Sequence, residues 1–129
     1  MKNINIVDET ARALAFLTRL PIPDQFFKTA KPESTAQCSG LFPMAGALIA
    51  TVGSVPLLMA HGLGLPPSIS AALGIFTIIL VTGALHEDGL GDVADGFGGG
   101  STIEERLEIM KDSRLGTYGV IAVAGSLFL

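Results

Sequence analysis

The chain alternates between short polar segments and long apolar runs, and the longest run extends from Ser34 to His86 without an Asp, Glu, Lys or Arg. A run of that length accommodates two helical spans of about 20 residues each. Glycines and prolines at residues 61–67 divide it, because these residue types interrupt helices. The pattern predicts one membrane span over about residues 40–61 and a second over about residues 68–85. A buried helical hairpin of a soluble protein is the alternative, which the membrane length of both runs disfavours.

A shorter amphipathic segment precedes these spans, over residues 11–20. Phe16, Leu17 and Leu20 form an apolar stripe, and the arginines of the segment lie off it. The combination predicts a short interfacial helix that rests on the anionic surface of a membrane. Packing of the same helix against the rest of the protein is the alternative, and the sequence leaves both open.

The chain after residue 100 begins with two overlapping capping boxes, formed by Ser101 and Thr102 with the glutamates three residues later. They predict a cytoplasmic helix over about residues 102–113. Residues 115–129 then start a third apolar run, which stops short of a full crossing. The predicted fold is all-α: a multi-span helical membrane protein with two full spans and the start of a third. Residues 1–129 are expected to form a single membrane-embedded domain, the N-terminal fragment of a longer chain.

Composition favours the same class of protein. Hydrophobic residues make up 49% of the chain and charged residues only 16%, whereas about a quarter of the residues of soluble domains are charged. The net charge of −4 and the lack of a basic patch with interleaved aromatics argue against nucleic acid as a partner. The single cysteine, Cys38, excludes an internal disulfide.

The positive charges predict the orientation in the membrane, because Lys and Arg accumulate on the cytoplasmic side. Five of them precede the first predicted span: Lys2, Arg12, Arg19, Lys28 and Lys31. Two crossings return the chain to the same side, where three more follow: Arg106, Lys111 and Arg114. The N-terminus and the segment that begins at His86 are therefore expected in the cytoplasm.

The segment from His86 to Phe97 carries the candidate chemistry. It holds four carboxylates, those of Glu87, Asp88, Asp92 and Asp95. The three aspartates are spaced i, i+4 and i+7, which on a helix places them on one face. Three negative charges on one face repel each other, and a divalent cation such as Mg²⁺ relieves that repulsion. The spacing predicts a Mg²⁺ site with the three aspartates as ligands and Glu87 as a further one.

Two other interpretations of this acidic segment stay open. One is a solvated helix end after a span, and the other is the ion pathway of a transporter or channel. The solvated end does not explain the interleaved Gly89, Gly91 and Gly96, because glycine weakens a helix and is favoured where another group approaches closely. The metal site is therefore the preferred interpretation.

Positive side chains and a glycine triplet follow the acids. Lys111 and Arg114 lie one turn apart on the predicted helix, so both can reach one phosphate; their cytoplasmic location alone is the competing explanation. Gly98 and Gly99 are candidates for a hinge or a backbone cradle for phosphate. His86 is a candidate base, metal ligand or interfacial residue, and the sequence does not decide among them.

Three blocks of the sequence together resemble one known family. They are residues 16–23 (FLTRLPIP), 86–100 (HEDGLGDVADGFGGG) and 106–119 (RLEIMKDSRLGTYG). In this order they are similar to cobalamin synthase, the adenosylcobinamide-GDP ribazoletransferases. The resemblance implies a Mg²⁺-dependent enzyme of the bacterial inner membrane that completes vitamin B12 assembly. It implies that adenosylcobinamide-GDP is joined to α-ribazole, or to its 5′-phosphate, with release of GMP, and that this chain is the N-terminal half.

The resemblance and the residue pattern combine into one expected site. Asp88, Asp92 and Asp95, with Glu87, are the expected metal ligands, and Lys111, Arg114, Gly98 and Gly99 are the expected phosphate-binding residues. The expected catalytic set is Asp95, Asp92 and His86, with Asp95 or else His86 accepting the hydroxyl proton. The bilayer, other membrane enzymes of the pathway and a second copy of the chain are the further expected partners.

Overall fold

A computed structural model describes residues 6–26 and 38–128, apart from the side chain of Asp24. Within those ranges every regular element is helical, which confirms the all-α prediction. The α-helices are α1 (Ile6–Leu17), α2 (Phe42–Gly62), α3 (Pro67–Thr82), α4 (Leu85–Gly99), α5 (Ile103–Ile109) and α6 (Thr117–Phe128). Short 3-10 helices occupy Asp24–Phe26 and Ser39–Leu41. Contacts divide the chain into two compact units, Met1–Gly83 and Ala84–Leu129, which are described separately.

The first unit is built around the pair α2 and α3. Pro43 lies in the first turn of α2 and Pro67 opens α3, positions where the missing amide hydrogen leaves no helical hydrogen bond unmade. α2 continues through Pro56 to Gly62, two residues on from the predicted start and one beyond the predicted end of the span. The turn between the helices contains Gly64 with a positive φ of 82°, which glycine adopts without strain.

α2 and α3 approach closely at two facing glycines. A Cβ on Gly53 would come within 3.2 Å of the Gly74 carbonyl oxygen, and a Cβ on Gly74 within 3.2 Å of the Gly53 carbonyl oxygen. Both glycines are buried. Gly46 and Ala50 lie outside this contact, because Ala50 is exposed and none of the described atoms lies within 4 Å of a Cβ on Gly46.

α1 packs against α2 through small side chains. Ala13 and Leu17 of α1 form the core of this unit with Ala45 and Ile49 of α2. Phe16 of the predicted stripe stays half exposed and stacks on another ring of the same unit. The buried face of α1 therefore packs on the rest of the protein, which is the alternative that the sequence left open for this helix.

The end of α3 is set by a residue from the N-terminal segment. Gly83 takes a left-handed conformation with φ 67° and closes the helix after Thr82, three residues before the predicted end of the span. The Arg19 amide donates to the Val81 carbonyl at 2.9 Å, and the Arg19 side chain crosses Gly83 so closely that a Cβ would collide with it. α3 thus ends at a left-handed glycine, and the contact with Arg19, which no local pattern reveals, lies directly on that end.

One helical segment is long and apolar enough to cross a membrane, the stretch Ser39–Gly62 that contains α2. α3 meets the same criterion only when α4 is joined to it as one broken span, so the described residues provide one span or at most two. Only 17% of the apolar window in Ser39–Gly62 is buried, whereas the core helix of a soluble protein is mostly buried. These features are compatible with a membrane protein, and the expected two spans plus the start of a third stay a prediction.

In the second unit, α5 begins as predicted and ends early. Thr102 and Glu105 form a reciprocal capping box, and Glu105 also accepts the Ser101 amide at 2.8 Å. The predicted extent to residue 113 is wrong, because α5 ends at Ile109. Asp112 accepts the Arg114 backbone amide at 3.1 Å, a local bond of the kind that competes with helix continuation.

Replacing Gly53 with alanine should destabilise the α2–α3 pair. The new Cβ would come within 2.5 Å of Ile78 Cγ1, and overpacking costs about 1–3 kcal/mol, more than the roughly 1 kcal/mol that helix propensity returns. Gly46→Ala is the matched control on the same helix, where the added methyl meets open space among the described atoms. Thermal unfolding of the full-length protein in detergent should give a lower midpoint for Gly53→Ala than for Gly46→Ala. Equal midpoints would contradict the close approach.

Candidate functional site

All four carboxylates of the acidic segment lie on α4, one uninterrupted helix. It includes His86, Glu87 and the three aspartates, and it continues through every interleaved glycine. Asp88, Asp92 and Asp95 therefore share a face, as their spacing predicts. A helix with this many glycines is weak by itself, since each costs about 1 kcal/mol relative to alanine. Something outside α4 must stabilise it.

The stabilising contacts come from α6 and from the segment between α5 and α6, which pack onto the glycines. A Cβ on Gly91 would lie 2.7 Å from Leu115 Cδ1, and a Cβ on Gly96 would lie 2.6 Å from Met110 Cε. At Gly98 the Tyr118 ring occupies the space that a side chain would need. Close helix packing thus explains these glycines. Gly89 differs, since a Cβ there would meet no described atom within 4 Å.

The acids differ sharply in exposure. Asp88 is exposed, Asp92 is half-buried and Asp95 is only 8% exposed. Glu87 is half-buried, and its Oε2 atom is shielded from solvent with no hydrogen-bond partner in the described part of the chain. His86 is exposed at the start of the helix. Residues of one motif therefore have different environments.

Asp95 binds the beginning of α6. Its Oδ2 accepts the Gly116 amide at 2.6 Å and its Oδ1 accepts the Gly119 amide at 2.8 Å. These two donors lie at the N-terminal end of α6, where backbone amides have no partner within the helix and the helix dipole is positive. The carboxylate is thus bound by charge-assisted hydrogen bonds on both oxygens.

Both donors must be glycines. A Cβ on Gly116 would come within 2.5 Å of Asp95 Oδ1, and a Cβ on Gly119 would come closer still to Oδ2. The local sequence pattern identifies neither glycine as a partner of Asp95. The one signal for them is a pair of glycines three residues apart at the opening of an apolar helix. The pair indicates a carboxylate-binding helix start only once its partner, Asp95 on α4, is known.

Lys111 and Arg114 lie in the turn after α5, and the expectation of a shared helical face is wrong because that helix has already ended. Lys111 is exposed. The Arg114 side chain is 88% exposed, and its Nη2 atom donates to Asp112 Oδ2 at 2.6 Å. The side-chain hydrogen bond from Arg114 lowers the pKa of Asp112 below its ordinary value of 3.8 and raises the pKa of Arg114.

The remaining candidates cluster at the end of α4. Gly98 and Gly99 belong to its last turn, so their backbone is helical and not the loop expected from the glycine triplet. Arg106 Nε donates to the Gly100 carbonyl at 3.0 Å, and its guanidinium lies 4.9 Å from the centre of the Phe97 ring. Arg106 therefore caps the negative end of the α4 dipole. Phosphate binding by Gly98 and Gly99 stays a prediction.

Within residues 6–26 and 38–128 no three side chains of His, Cys, Asp or Glu are gathered to hold a metal ion. The donor chemistry nevertheless fits Mg²⁺, which proteins commonly hold through one or two carboxylates while substrate phosphates and water complete the shell. Asp88 and Asp92 are one turn apart on α4, and the Glu87 Oε2 atom is a buried oxygen that a cation would satisfy.

Comparison with known proteins gives a consistent picture. A model of the family described as cobalamin-5-phosphate synthase matches residues 9–129. The chain is similar to an adenosylcobinamide-GDP ribazoletransferase of Azorhizobium caulinodans, with 45% identity over 100% of this chain and 49% of that protein. It is 43% identical to the proteins of the same name in Brucella ovis and Brucella canis, over 95% of this chain and 47% of each. The chain spans about half the length of these curated relatives. No solved structure matches it.

The pair of Asp112 and Arg114 makes a pH prediction. Because the pKa of Asp112 is lowered in the folded chain, the pair stabilises the turn above the ordinary value of 3.8 and this stabilisation is lost as the pH falls through the folded pKa. Carboxyl ¹³C NMR of the full-length protein in detergent should give an Asp112 midpoint below 3.8. Arg114→Gln should return the midpoint towards the ordinary value. A midpoint that does not change with this substitution would contradict the pairing.

Proposed function

The chain belongs to the cobalamin-5-phosphate synthase family, and from that premise we propose that the full-length protein is an adenosylcobinamide-GDP ribazoletransferase. It would transfer the adenosylcobinamide phosphate moiety of adenosylcobinamide-GDP to α-ribazole or its 5′-phosphate and release GMP. The observation that carries the proposal is the family match over residues 9–129, which includes all of α4, α5 and α6. The relatives named above are transferases, and no comparison supports the alternative of an ion transporter or channel.

α4 supplies the metal ligands in this proposal. Asp88 and Asp92 lie one turn apart on the accessible part of the acidic face, and Glu87 precedes them with one unpaired buried oxygen in the described structure. When bound there, Mg²⁺ would neutralise the charge of the substrate diphosphate, which otherwise repels an attacking hydroxyl. The accessibility of Asp88 and Asp92 is what supports assigning the ligands to them in preference to the buried Asp95.

The turn after α5 supplies the cations that would bind the diphosphate. Lys111 and Arg114 are both exposed and both outside helices, so their long side chains are free to reorient. Arg114 already bonds to a carboxylate, that of Asp112. A guanidinium forms stronger paired hydrogen bonds with phosphate oxygens of higher charge. Arg114 would exchange Asp112 for the substrate when the diphosphate binds.

Proton transfer falls to His86 in this proposal. The ribazole 5′-hydroxyl must lose its proton as it attacks phosphorus, and an imidazole nitrogen is a common acceptor in general-base catalysis. His86 is exposed in the first turn of α4, next to Glu87. Asp95 was the preferred base on sequence grounds, but both of its oxygens accept backbone amides.

The same proposal places the protein in the inner membrane. α2 is long and apolar enough to span it, and the positive residues before α2 and after α4 predict that the N-terminus and the acidic segment are cytoplasmic. Nucleotide and diphosphate substrates would then meet α4 from the cytoplasm, with the bilayer surrounding the apolar helices.

Charge removal at α4 tests the reaction. Full-length protein in membranes, supplied with adenosylcobinamide-GDP, α-ribazole and Mg²⁺, should release GMP. Asp88→Asn and Asp92→Asn should each lower the rate of GMP release by more than about 100-fold. Loss of a residue that only supports a metal ligand already lowers metal affinity or activity by about 10- to 100-fold. Glu104→Gln removes an exposed carboxylate from α5 and is the matched control, expected to keep the wild-type rate. Wild-type rates from both aspartate variants would exclude the ligand assignment, and absence of GMP release by the wild-type protein would contradict the reaction.

Thiol labelling tests the orientation. In an otherwise cysteine-free full-length protein, Ser101→Cys follows the acidic helix and should be cytoplasmic, whereas Ser68→Cys lies at the exposed start of α3 and should face the periplasm. A membrane-impermeant maleimide applied to spheroplasts should label Ser68→Cys and spare Ser101→Cys until the membrane is opened. The reverse labelling pattern would show that the orientation is wrong.

A further inference from the structure

We infer that Asp95 is a positioning residue. It fixes the turn that carries Lys111 and Arg114, called here the cationic turn, to α4, the acidic helix. The binding role of that turn rests on the proposed function, whereas the attachment itself rests on contacts within residues 84–128. The inference separates Asp95 from the other acids of the motif. It also gives a reason for the paired glycines that open α6.

The first attachment is the carboxylate of Asp95. It receives the amides of Gly116 and Gly119 at 2.6 and 2.8 Å, one on each oxygen, and the residue is almost fully buried. Gly116 is only two residues beyond Arg114. The bonds therefore hold the end of the cationic turn as well as the start of α6.

The second attachment lies at the neighbouring residue of α4. Met110, which directly follows α5, packs on Gly96 so closely that a Cβ there would come within 2.6 Å of Met110 Cε. The segment that contains Lys111 and Arg114 thus contacts α4 on both sides of these two residues. It packs on Gly96 at its beginning and binds Asp95 at its end. Both ends of the segment are fixed to one turn of the acidic helix.

This attachment determines where the cations can act. A helix rises 1.5 Å per residue, so Asp92 lies about 4.5 Å and Asp88 about 10.5 Å along the axis from Asp95. The inference is that side chains held at the Asp95 turn reach a diphosphate bound near those two acids. Loosening the attachment would let the cations move away without altering their own chemistry.

The geometry also separates this role from that of a metal ligand. A ligand or base needs an oxygen that can exchange water for a metal or a proton, whereas both oxygens of Asp95 are bound by amides and only 8% of the residue is exposed. Asp88 lies on the same helical face as Asp95 but is exposed, so its carboxylate has the accessibility that a ligand needs. The two roles predict different responses to magnesium.

The test compares Asp95→Asn with Gly119→Ala and their double variant in the full-length protein. Asparagine keeps one acceptor but turns an NH₂ group towards the other amide, and the alanine methyl would collide with the Asp95 carboxylate. Each single variant should lower kcat/KM by about 10- to 100-fold, as small misplacements of binding groups do. The double variant should be no worse than the worse single one, since both break the same contact. The half-saturating Mg²⁺ concentration should stay at the wild-type value in all three.

Two further variants complete the comparison. Gly125→Ala, in α6 where the described structure leaves open space, is the matched control; it should leave kcat/KM unchanged and should not lower the thermal midpoint. In an Arg114→Gln background, Asp95→Asn should cause a smaller additional loss of activity, because the part of its effect that passes through Arg114 is already gone. A general loss of structure would instead lower activity equally in both backgrounds.

The outcomes separate the alternatives. A rise in half-saturating Mg²⁺ for Asp95→Asn, with Gly119→Ala behaving like Gly125→Ala, would overturn the inference and make Asp95 a ligand. Additive losses for Asp95→Asn and Gly119→Ala would overturn it as well. Coupling between these two substitutions in the thermal midpoint needs no activity, so it tests the attachment even if the wild-type protein releases no GMP and the proposed function fails. If Gly119→Ala does not fold, Gly116→Ala probes the other amide in the same way.

Discussion

The unit formed by α4, α5 and α6 depends on one buried carboxylate. An ionised group removed from water is costly unless it is paired, and so are the free amides at the start of a helix. The bonds from Gly116 and Gly119 to Asp95 offset both costs with the same two contacts. They join residues 21 and 24 positions apart in the chain, so they fix how α6 is placed on α4. Arg106 stabilises the C-terminal end of α4 itself, where it donates to the Gly100 carbonyl.

The glycines of the chain follow from how its helices associate. Van der Waals contact and hydrogen bonds between helices both require close approach, and they matter most where hydrophobic attraction is small, as in a membrane. Gly53 and Gly74 allow that approach between α2 and α3, and Gly91 and Gly96 allow it between α4 and its neighbours. The intrinsic cost of glycine within α4 is thereby offset by packing that a larger residue would prevent. Gly89 alone among the three interleaved glycines of the acidic segment keeps an open surface in the described structure.

Local patterns predicted what local physics controls. The extent of α2, the capping box of Thr102 and the helical spacing of the three aspartates all depend on residues a few positions apart, and the structure agrees with them. The predictions that failed depend on distant partners or on competing local bonds. α3 ends early where Arg19 crosses Gly83, and α5 ends early where Asp112 binds the Arg114 amide. The metal ligands themselves stay a prediction, because identical aspartates at regular spacing carry no mark of their exposure.

That exposure is what separates the roles proposed for the residues of the motif. Asp88, Asp92 and Asp95 have the same side chain on the same helical face, yet they pass from exposed to half-buried to buried. An exposed carboxylate exchanges water for a cation at little cost, whereas a buried one already bound to two amides would have to break both bonds to do so. The Arg114 ion pair follows the same logic from the opposite side. Because surface ion pairs contribute little stability, Asp112 can orient the guanidinium and still release it to a phosphate that carries more charge. In the proposed reaction, a segment held firmly at its two ends and weakly in the middle would bind the diphosphate and then let the product leave.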